Sequence, residues 1–226
     1  MSHKIITIAQ QKGGAGKTTV TAHLAVAFKN KGKNVAIIDI DPQGSLEQWY
    51  KVREATLGKD KTGIDFSSIS GWRLHNEISR LKATTDLIII DSPPHTQTET
   101  KTVIRAADIV IIPTQPSPTD FWATELTVNI VEKERIPYRI LLNRVVKNSR
   151  LAMTITKKYN NLLDTKLGNR IAFADSMLDG LCASETSPSS QAAFEINILT
   201  NEIEDMLFPD QASNKNSDAK SKVAAK

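Results

Sequence analysis

The sequence predicts an α/β protein with a doubly wound, mostly parallel sheet flanked by helices. Three observations carry that expectation. Five short apolar runs recur along the chain, segments of helical period separate them, and a glycine-rich turn joins the first run to the first helical stretch. Strands alternating with helices imply consecutive βαβ units, which place a parallel sheet between two layers of helices.

The runs are IITIA at 5–9, VAIID at 35–39, LIIID at 87–91, IVIIP at 109–113 and RILLN at 139–143. Each is nearly free of polar residues, as expected for strands covered on both faces. After the glycine turn, Val20, Leu24, Ala27 and Phe28 fall at i, i+4, i+7 and i+8. That stripe packs on a sheet, and Gly32 suits the helix end. Further helices are predicted over 45–57, 73–83, 98–107, 119–135, 150–167 and 189–207, with Asp120 or Thr119 capping 119–135.

The 226 residues are 40% hydrophobic and 24% charged, which suits a single globular domain over residues 1–208. From Pro209 the chain lacks periodic apolar positions, so 209–226 is expected to be a disordered tail. Cys182 is the only cysteine and can form neither an internal disulfide nor a four-thiolate metal site. The start MSHKIITIAQ enters a strand directly, no apolar run approaches the ~20 residues of a membrane span, and the tail offers no amphipathic apolar face. A cytoplasmic protein without a membrane partner is expected. The net charge is +4, unevenly spread: Arg135, Arg139, Arg144, Lys147, Arg150, Lys157, Lys158, Lys166 and Arg170 stand against the lone acid Asp164. Such a stretch is either a polyanion surface or a solvated helix face.

The turn itself reads AQQKGGAGKTT over residues 9–19. A loop between a strand and a helix N-terminus presents free backbone N–H groups and the positive end of the helix dipole, so it binds anions. Gly13, Gly14, Ala15 and Gly16 let the backbone approach phosphate oxygens, and Lys17 can reach the β and γ phosphates. The Thr18 hydroxyl can sit on Mg²⁺, with Thr19 beside it. The loop is therefore expected to take a nucleotide's phosphates together with Mg²⁺. Gln11 stands where the common G-x-x-x-x-G-K-[ST] pattern has its first glycine; what fits is K-G-G-x-G-K-T, led by Lys12. Two ammonium groups so close repel one another unless a polyanion neutralises them.

With that leading lysine the chain resembles the ParA and MinD superfamily of ATPases, the deviant branch of P-loop proteins, which makes the expected nucleotide ATP. The resemblance spans residues 3–207 and implies that Lys12 crosses a dimer interface to the phosphates of a partner's nucleotide. In DIDPQGS, residues 39–45, it makes Asp41 the residue that orients the attacking water and puts Asp39 nearer the Mg²⁺ shell. Asp39 also reads as a turn residue before Pro42. DLIIIDSPP, residues 86–94, ends a strand on Asp91, placed to accept from a Mg²⁺-bound water, followed by a segment that senses the γ-phosphate. Asn143 matches the adenine-contacting position, and Arg144 either stacks or lies on the surface.

DPQGSLEQW, VIIPTQPSPTDFWA and AFEINILTNEIEDML are similar to the small ParA-type plasmid partition ATPases, ParF-like among them, without an N-terminal helix-turn-helix extension. The resemblance implies a homodimer formed with ATP, non-specific DNA binding through Arg150, Lys157, Lys158 and Arg170, and a ParB-like or centromere-binding adaptor that stimulates hydrolysis. The protein would then be nucleoid-associated and position a plasmid, a chromosome origin or a protein assembly. A metabolic or regulatory ATP-dependent enzyme on the same scaffold is the alternative. Nitrogenase-type iron proteins need more cysteines, division-site MinD proteins a membrane helix, and the tyrosine kinases of this superfamily a C-terminal tyrosine cluster where the last tyrosine here is Tyr159.

Overall fold

A computed structural model describes residues 3–94 and 97–209. Six strands form one sheet: β1 (Lys4–Ile8), β2 (Val35–Asp39), β3 (Asp65–Ser68), β4 (Leu87–Asp91), β5 (Ile109–Thr114) and β6 (Tyr138–Leu142), in the order β3-β2-β4-β1-β5-β6. Every pairing is parallel, with Ile8 and Asp39 both opposite Asp91 and Thr114 opposite Leu142. The helices are α1 (Lys17–Asn30), α2 (Ser45–Leu57), α3 (Leu74–Leu81), α4 (Gln97–Ala106), α5 (Pro118–Glu134), α6 (Arg150–Lys158), α7 (Ile171–Leu178), α8 (Ala183–Thr186) and α9 (Gln191–Leu207).

The doubly wound expectation holds, and strand alternation explains it. Ile6, Ile8, Ile37, Leu87, Ile89 and Ile111 face one way and join a core with α1, α2 and α7–α9. Ile5, Ile38, Ile88 and Ile90 face the other way toward α3 and α4, while Val110, Ile112 and Ile140 meet Ile104, Val128 and Val131. Because side chains alternate with period 2, an unbroken apolar run buries both faces at once. The predicted stripe on α1 is buried, and so are Thr21, Ala22, His23, Ala25 and Val26, since α9 closes over the side of α1 away from the sheet.

Four features depart from the sequence reading. β3 has no apolar run: DFSS forms an edge strand only because its backbone pairs with β2. α5 is capped by neither Thr119 nor Asp120 but by Ser117, whose Oγ accepts from the Asp120 N–H at 3.1 Å, with Pro118 in the first turn. The helix predicted over 150–167 stops at Lys158. Beyond it the chain returns beside β6, Leu163 and Leu167 donating backbone N–H groups to Ile140 and Leu142 at 2.9 Å each. Two short helices, α7 and α8, lie between the predicted helices 150–167 and 189–207, where no element is predicted. The expected tail falls, from residue 210 on, outside the described residues.

Candidate nucleotide site

The C-terminal ends of five strands converge at one edge of the sheet, where parallel α/β sheets place their ligands. β1 delivers the loop 10–16, β2 Asp39 and Asp41, β4 Asp91, β5 Gln115, and β6 Asn143 and Arg144. Gly16 sits at the N-cap of α1 with φ +94°, and no side chain caps the helix. Its first turn is left open to an anion. Gly16 also needs its lack of side chain, because a Cβ there would stand 2.3 Å from Asn143 Nδ2.

Lys17 is buried against this loop, its Nζ 3.5 Å from the Lys12 carbonyl. Burial pulls its pKa down, while Asp91 and Asp41 pull it back up. The Thr18 hydroxyl donates to Asp91 Oδ2 at 2.8 Å, and Thr21 reaches the other oxygen at 3.4 Å. Burial pushes the Asp91 carboxyl up to about 7; the Thr18 hydrogen bond opposes the shift and Asp39 adds to it. Asp39 is likewise pushed by burial to about 6. Two inward acids beside one lysine and a threonine hydroxyl are short of positive charge, and a divalent ion would supply it. Among the described residues no cluster of three His, Cys, Asp or Glu could cage a metal. That suits Mg²⁺, which takes one or two protein oxygens and leaves its other positions to water and phosphate.

Asp39 itself does turn work. Its Oδ1 accepts from the Asp41 N–H at 2.9 Å and its Oδ2 from the Glu47 N–H at 3.1 Å, fixing the entry to α2. Asp41 is half-buried on that turn and accepts from the Gln43 N–H at 3.0 Å. Of the sequence-predicted metal residues, Thr18 and Asp91 touch and Asp39 stands one strand away. Ser92, which opens the expected sensing segment 92–94, is fully buried beside Asp91 and has a hydroxyl without a partner among the described residues; residues 95 and 96 just after that segment lie outside them.

Asn143 is buried and braces the loop: its Nδ2 donates to the Ala15 carbonyl at 2.9 Å and its Oδ1 accepts from the Arg144 N–H at 2.9 Å. Beside it opens a cleft of about 260 Å³ lined by Thr19, His23, Arg144, Arg170, Phe173 and Ile196. Sequence reasoning missed His23, which stands between Ala22 and Leu24 in the buried middle of α1. It also missed Gln115, whose Nε2 donates to the Gly14 carbonyl at 2.7 Å. Neither carries a local signal, because each gains its role from a residue far along the chain.

Two expected DNA cations are engaged elsewhere. Arg170 forks onto Glu195, Nε to Oε2 at 2.9 Å and Nη2 to Oε1 at 2.5 Å, at the rim of the cleft. Lys158 pairs with Glu125 and lies 4.0 Å over the Phe121 ring. Arg150 and Lys157 remain exposed and enter no ion pair among the described residues. Lys12 turns onto α5, where it pairs with Asp120 and donates to Thr119 Oγ1 at 2.9 Å.

A family model for the CobQ/CobB/MinD/ParA nucleotide binding domain matches residues 6–182, from β1 to the start of α8. The chain belongs to that family. ParA/MinD relatives agree with the match. The maintenance of carboxysome distribution protein A of Halothiobacillus neapolitanus is 25% identical over 214 residues, 88% of this chain and 95% of that protein. The sporulation initiation inhibitor protein Soj of Bacillus subtilis is 29% identical over 58% of this chain and 66% of its own. In fold, this member of the family resembles MinD of Pyrococcus horikoshii complexed with Mg-ADP, at TM-score 0.78 and 22% identity over 90% of this chain and 97% of that one. It also resembles a Cyanothece McdA variant in complex with ATP, at 0.72 and 18% over 89% and 96%. No helix among the described residues is long and apolar enough to cross a membrane.

Proposed function

We propose that this protein is a ParA-type positioning ATPase that binds Mg-ATP, pairs with a second copy while ATP is bound, and holds non-specific DNA until an adaptor triggers hydrolysis. The observation that carries the reading is the Thr18–Asp91 contact at the uncapped start of α1, with Lys17 buried beside it. Gly13, Gly14, Ala15 and Gly16 line the phosphate path, and the base fits the cleft between His23, Phe173 and Arg144. Asn143 serves this site by bracing Ala15 instead of reading the base. Thr18, and through water Asp91, would hold Mg²⁺, which would supply charge neutralisation to the phosphates. Asp41, on the turn that Asp39 fixes, orients the attacking water; Lys17 meets the charge that develops on the β and γ oxygens. Lys12 supplies a cation to the triphosphate of the second copy.

The cargo is a plasmid, a chromosome origin or a large protein assembly, handed over by a ParB-like or centromere-binding adaptor. A protein assembly is supported by the carboxysome-distribution relative, which aligns over nearly its whole length. Arg150 and Lys157, exposed on α6, supply the DNA contact.

The decisive experiment compares nucleotide binding and sedimentation with ATP. Lys17→Ala is expected to lose nucleotide binding altogether. Asp41→Ala is expected to bind ATP and remain a long-lived dimer, with turnover down by about 100-fold or more. An Asp41→Ala protein that sediments as a monomer with ATP would contradict the assignment.

A further inference from the structure

We propose that Gln115 is a positioning residue for the phosphate loop: by holding the Gly14 carbonyl it turns the Ala15 N–H to the opposite side, where the triphosphate is received. The proposal rests on the reading of loop 10–16 as the triphosphate site. Two consecutive carbonyls of that loop are each met by a side-chain amide. Gln115 Nε2 donates to the Gly14 carbonyl at 2.7 Å, and Asn143 Nδ2 donates to the Ala15 carbonyl at 2.9 Å. The peptides are trans, so the carbonyl of one residue and the N–H of the next lie in one plane and point opposite ways. Fixing the Gly14 carbonyl therefore fixes the Ala15 N–H, and fixing the Ala15 carbonyl fixes the Gly16 N–H. None of the N–H groups of Gly13, Gly14, Ala15 and Gly16 donates to an acceptor among the described residues. They are left for an anion.

The loop needs such holding because a glycine flanks each of the two planes. Gly14 stands at φ +79° and Gly16 at φ +94°. Glycine passes between backbone orientations at little steric cost, so an unheld plane can turn its carbonyl toward the phosphate oxygens and repel them. The sheet supplies both amides in register. Thr114 of β5 lies opposite Leu142 of β6, and the Asn143 N–H donates to the Thr114 carbonyl at 2.9 Å, so Gln115 and Asn143 leave neighbouring strands side by side. The backbone of Gln115 is itself fixed, since its carbonyl accepts from the Ser117 N–H at 2.8 Å in the turn that leads into α5. Asn143 is buried and also holds the Arg144 N–H, whereas Gln115 is half-buried and its side chain serves Gly14. Gln115 is therefore the amide whose removal leaves the rest of the fold in place.

The test measures binding of Mg-ATP and of Mg-tripolyphosphate, a probe without a base, by calorimetry for the wild type and Gln115→Met. In the same proteins, free of either probe and carrying nitrogen-labelled alanine, magnetic resonance follows the Ala15 amide. Gln115→Met fills the same space without a donor; Gln115→Ser is too short to reach Gly14 and serves if the first variant folds poorly. Each is expected to bind both probes about fivefold more weakly, the worth of one lost hydrogen bond. The Ala15 resonance is expected to broaden or move as its plane samples two orientations. Folded variants with the wild-type affinity for tripolyphosphate overturn the proposal. Weakened affinity with an Ala15 resonance unchanged in position and width overturns it as well, because Gln115 would then meet the phosphate itself. A wild-type Ala15 resonance already broadened without a probe has the same consequence, since the plane would not be held. A wild type that binds Mg-ATP but not tripolyphosphate grips the nucleotide by its base, and the positioning role alone falls. A wild type that binds neither removes the reading of the loop on which the proposal rests.

Discussion

At position 23 a histidine occupies the middle of a helix buried on nearly every side. Its Nδ1 lies 2.8 Å from the Thr19 carbonyl and its Nε2 3.2 Å from the Ala183 N–H. Only the neutral Nδ1–H tautomer satisfies both partners, since a second proton on Nε2 would face a donor. Burial accordingly pushes the pKa down to about 4 from the ordinary 6.5, against the smaller pull of Thr19. Between those two values the unfolded chain binds the proton and the folded chain does not. This residue's contribution to stability is therefore complete above about 6.5 and lost as pH falls toward 4. A shift of that size is worth on the order of 3 kcal/mol. Asp39 and Asp91, whose carboxyls are raised, act in the opposite sense over an overlapping range, stability falling as pH rises. The pH dependence of urea unfolding should therefore be compared between wild type and His23→Asn, which retains a donor toward Thr19. The difference between the two proteins is expected to grow as pH rises from 4 to 6.5; a constant difference would exclude a neutral buried imidazole.

Among the elements, α2 is tied to the α7–α8 connection by Trp49, whose Nε1 donates to the Leu181 carbonyl at 3.3 Å, by Thr56, whose hydroxyl donates to the Asp179 carbonyl at 2.8 Å, and by one charged side chain. Arg53 is fully buried and forks onto Glu185, at 2.7 Å to Oε1 and 2.8 Å to Oε2. It also reaches the Gly180 carbonyl at 3.1 Å and the Thr62 carbonyl at 3.3 Å, and lies 5.5 Å from the Trp49 ring. Gly180 can be no other residue without movement, because at φ +68° a Cβ would stand 2.1 Å from the Arg53 backbone nitrogen. The clamp matters to function because α7 carries Phe173, which lines the nucleotide cleft and meets His23 edge-on at 5.2 Å. Arg53→Met is expected to cost about 3 kcal/mol, near the lower end for a broken buried pair, since Glu185 keeps some exposure to water. Nucleotide affinity should fall with it. Chemical denaturation and a fluorescent-nucleotide titration check both; a destabilised protein with unchanged affinity would show that α7 does not shape the cleft.

At the scale of the whole molecule, the basic helix α6 and the nucleotide cleft hang on the same strand. α6 follows β6 closely, and the segment after it pairs back along β6 to deliver Gly168 and Arg170 to the cleft rim. Dimerisation doubles whatever cationic surface a protomer presents, so weak phosphate contacts become effective only in the paired state. Binding to random-sequence duplexes should require ATP and fall steeply with added salt, log affinity against log salt sloping by about −0.9 per phosphate neutralised. Arg150→Glu with Lys157→Glu should abolish retention on DNA while the ATP-dependent dimer survives, as fluorescence anisotropy and sedimentation would report. Unchanged DNA affinity in that double variant would move the contact away from α6.

What the sequence alone determined is whatever a contiguous stretch can encode. Five Ile/Val/Leu runs specified five strands, because a strand covered on both faces needs apolar residues at every position. K-G-G-x-G-K-T specified the phosphate loop, because free N–H groups and small residues must be adjacent along the chain to form it. β3 escaped notice since it has no apolar run, and 159–167 read as helix because its leucines suit a helix as well as a strand-like segment beside β6. Only the tertiary structure decided the partners of the charged and polar side chains: Lys12 with Asp120, Lys158 with Glu125, Arg170 with Glu195, Asn143 with Ala15. Those pairs bridge 25 to 128 positions of sequence. The reason is that charge and hydrogen-bonding capacity say what a residue needs, whereas which neighbour meets the need depends on how the sheet and its helices bring distant segments together.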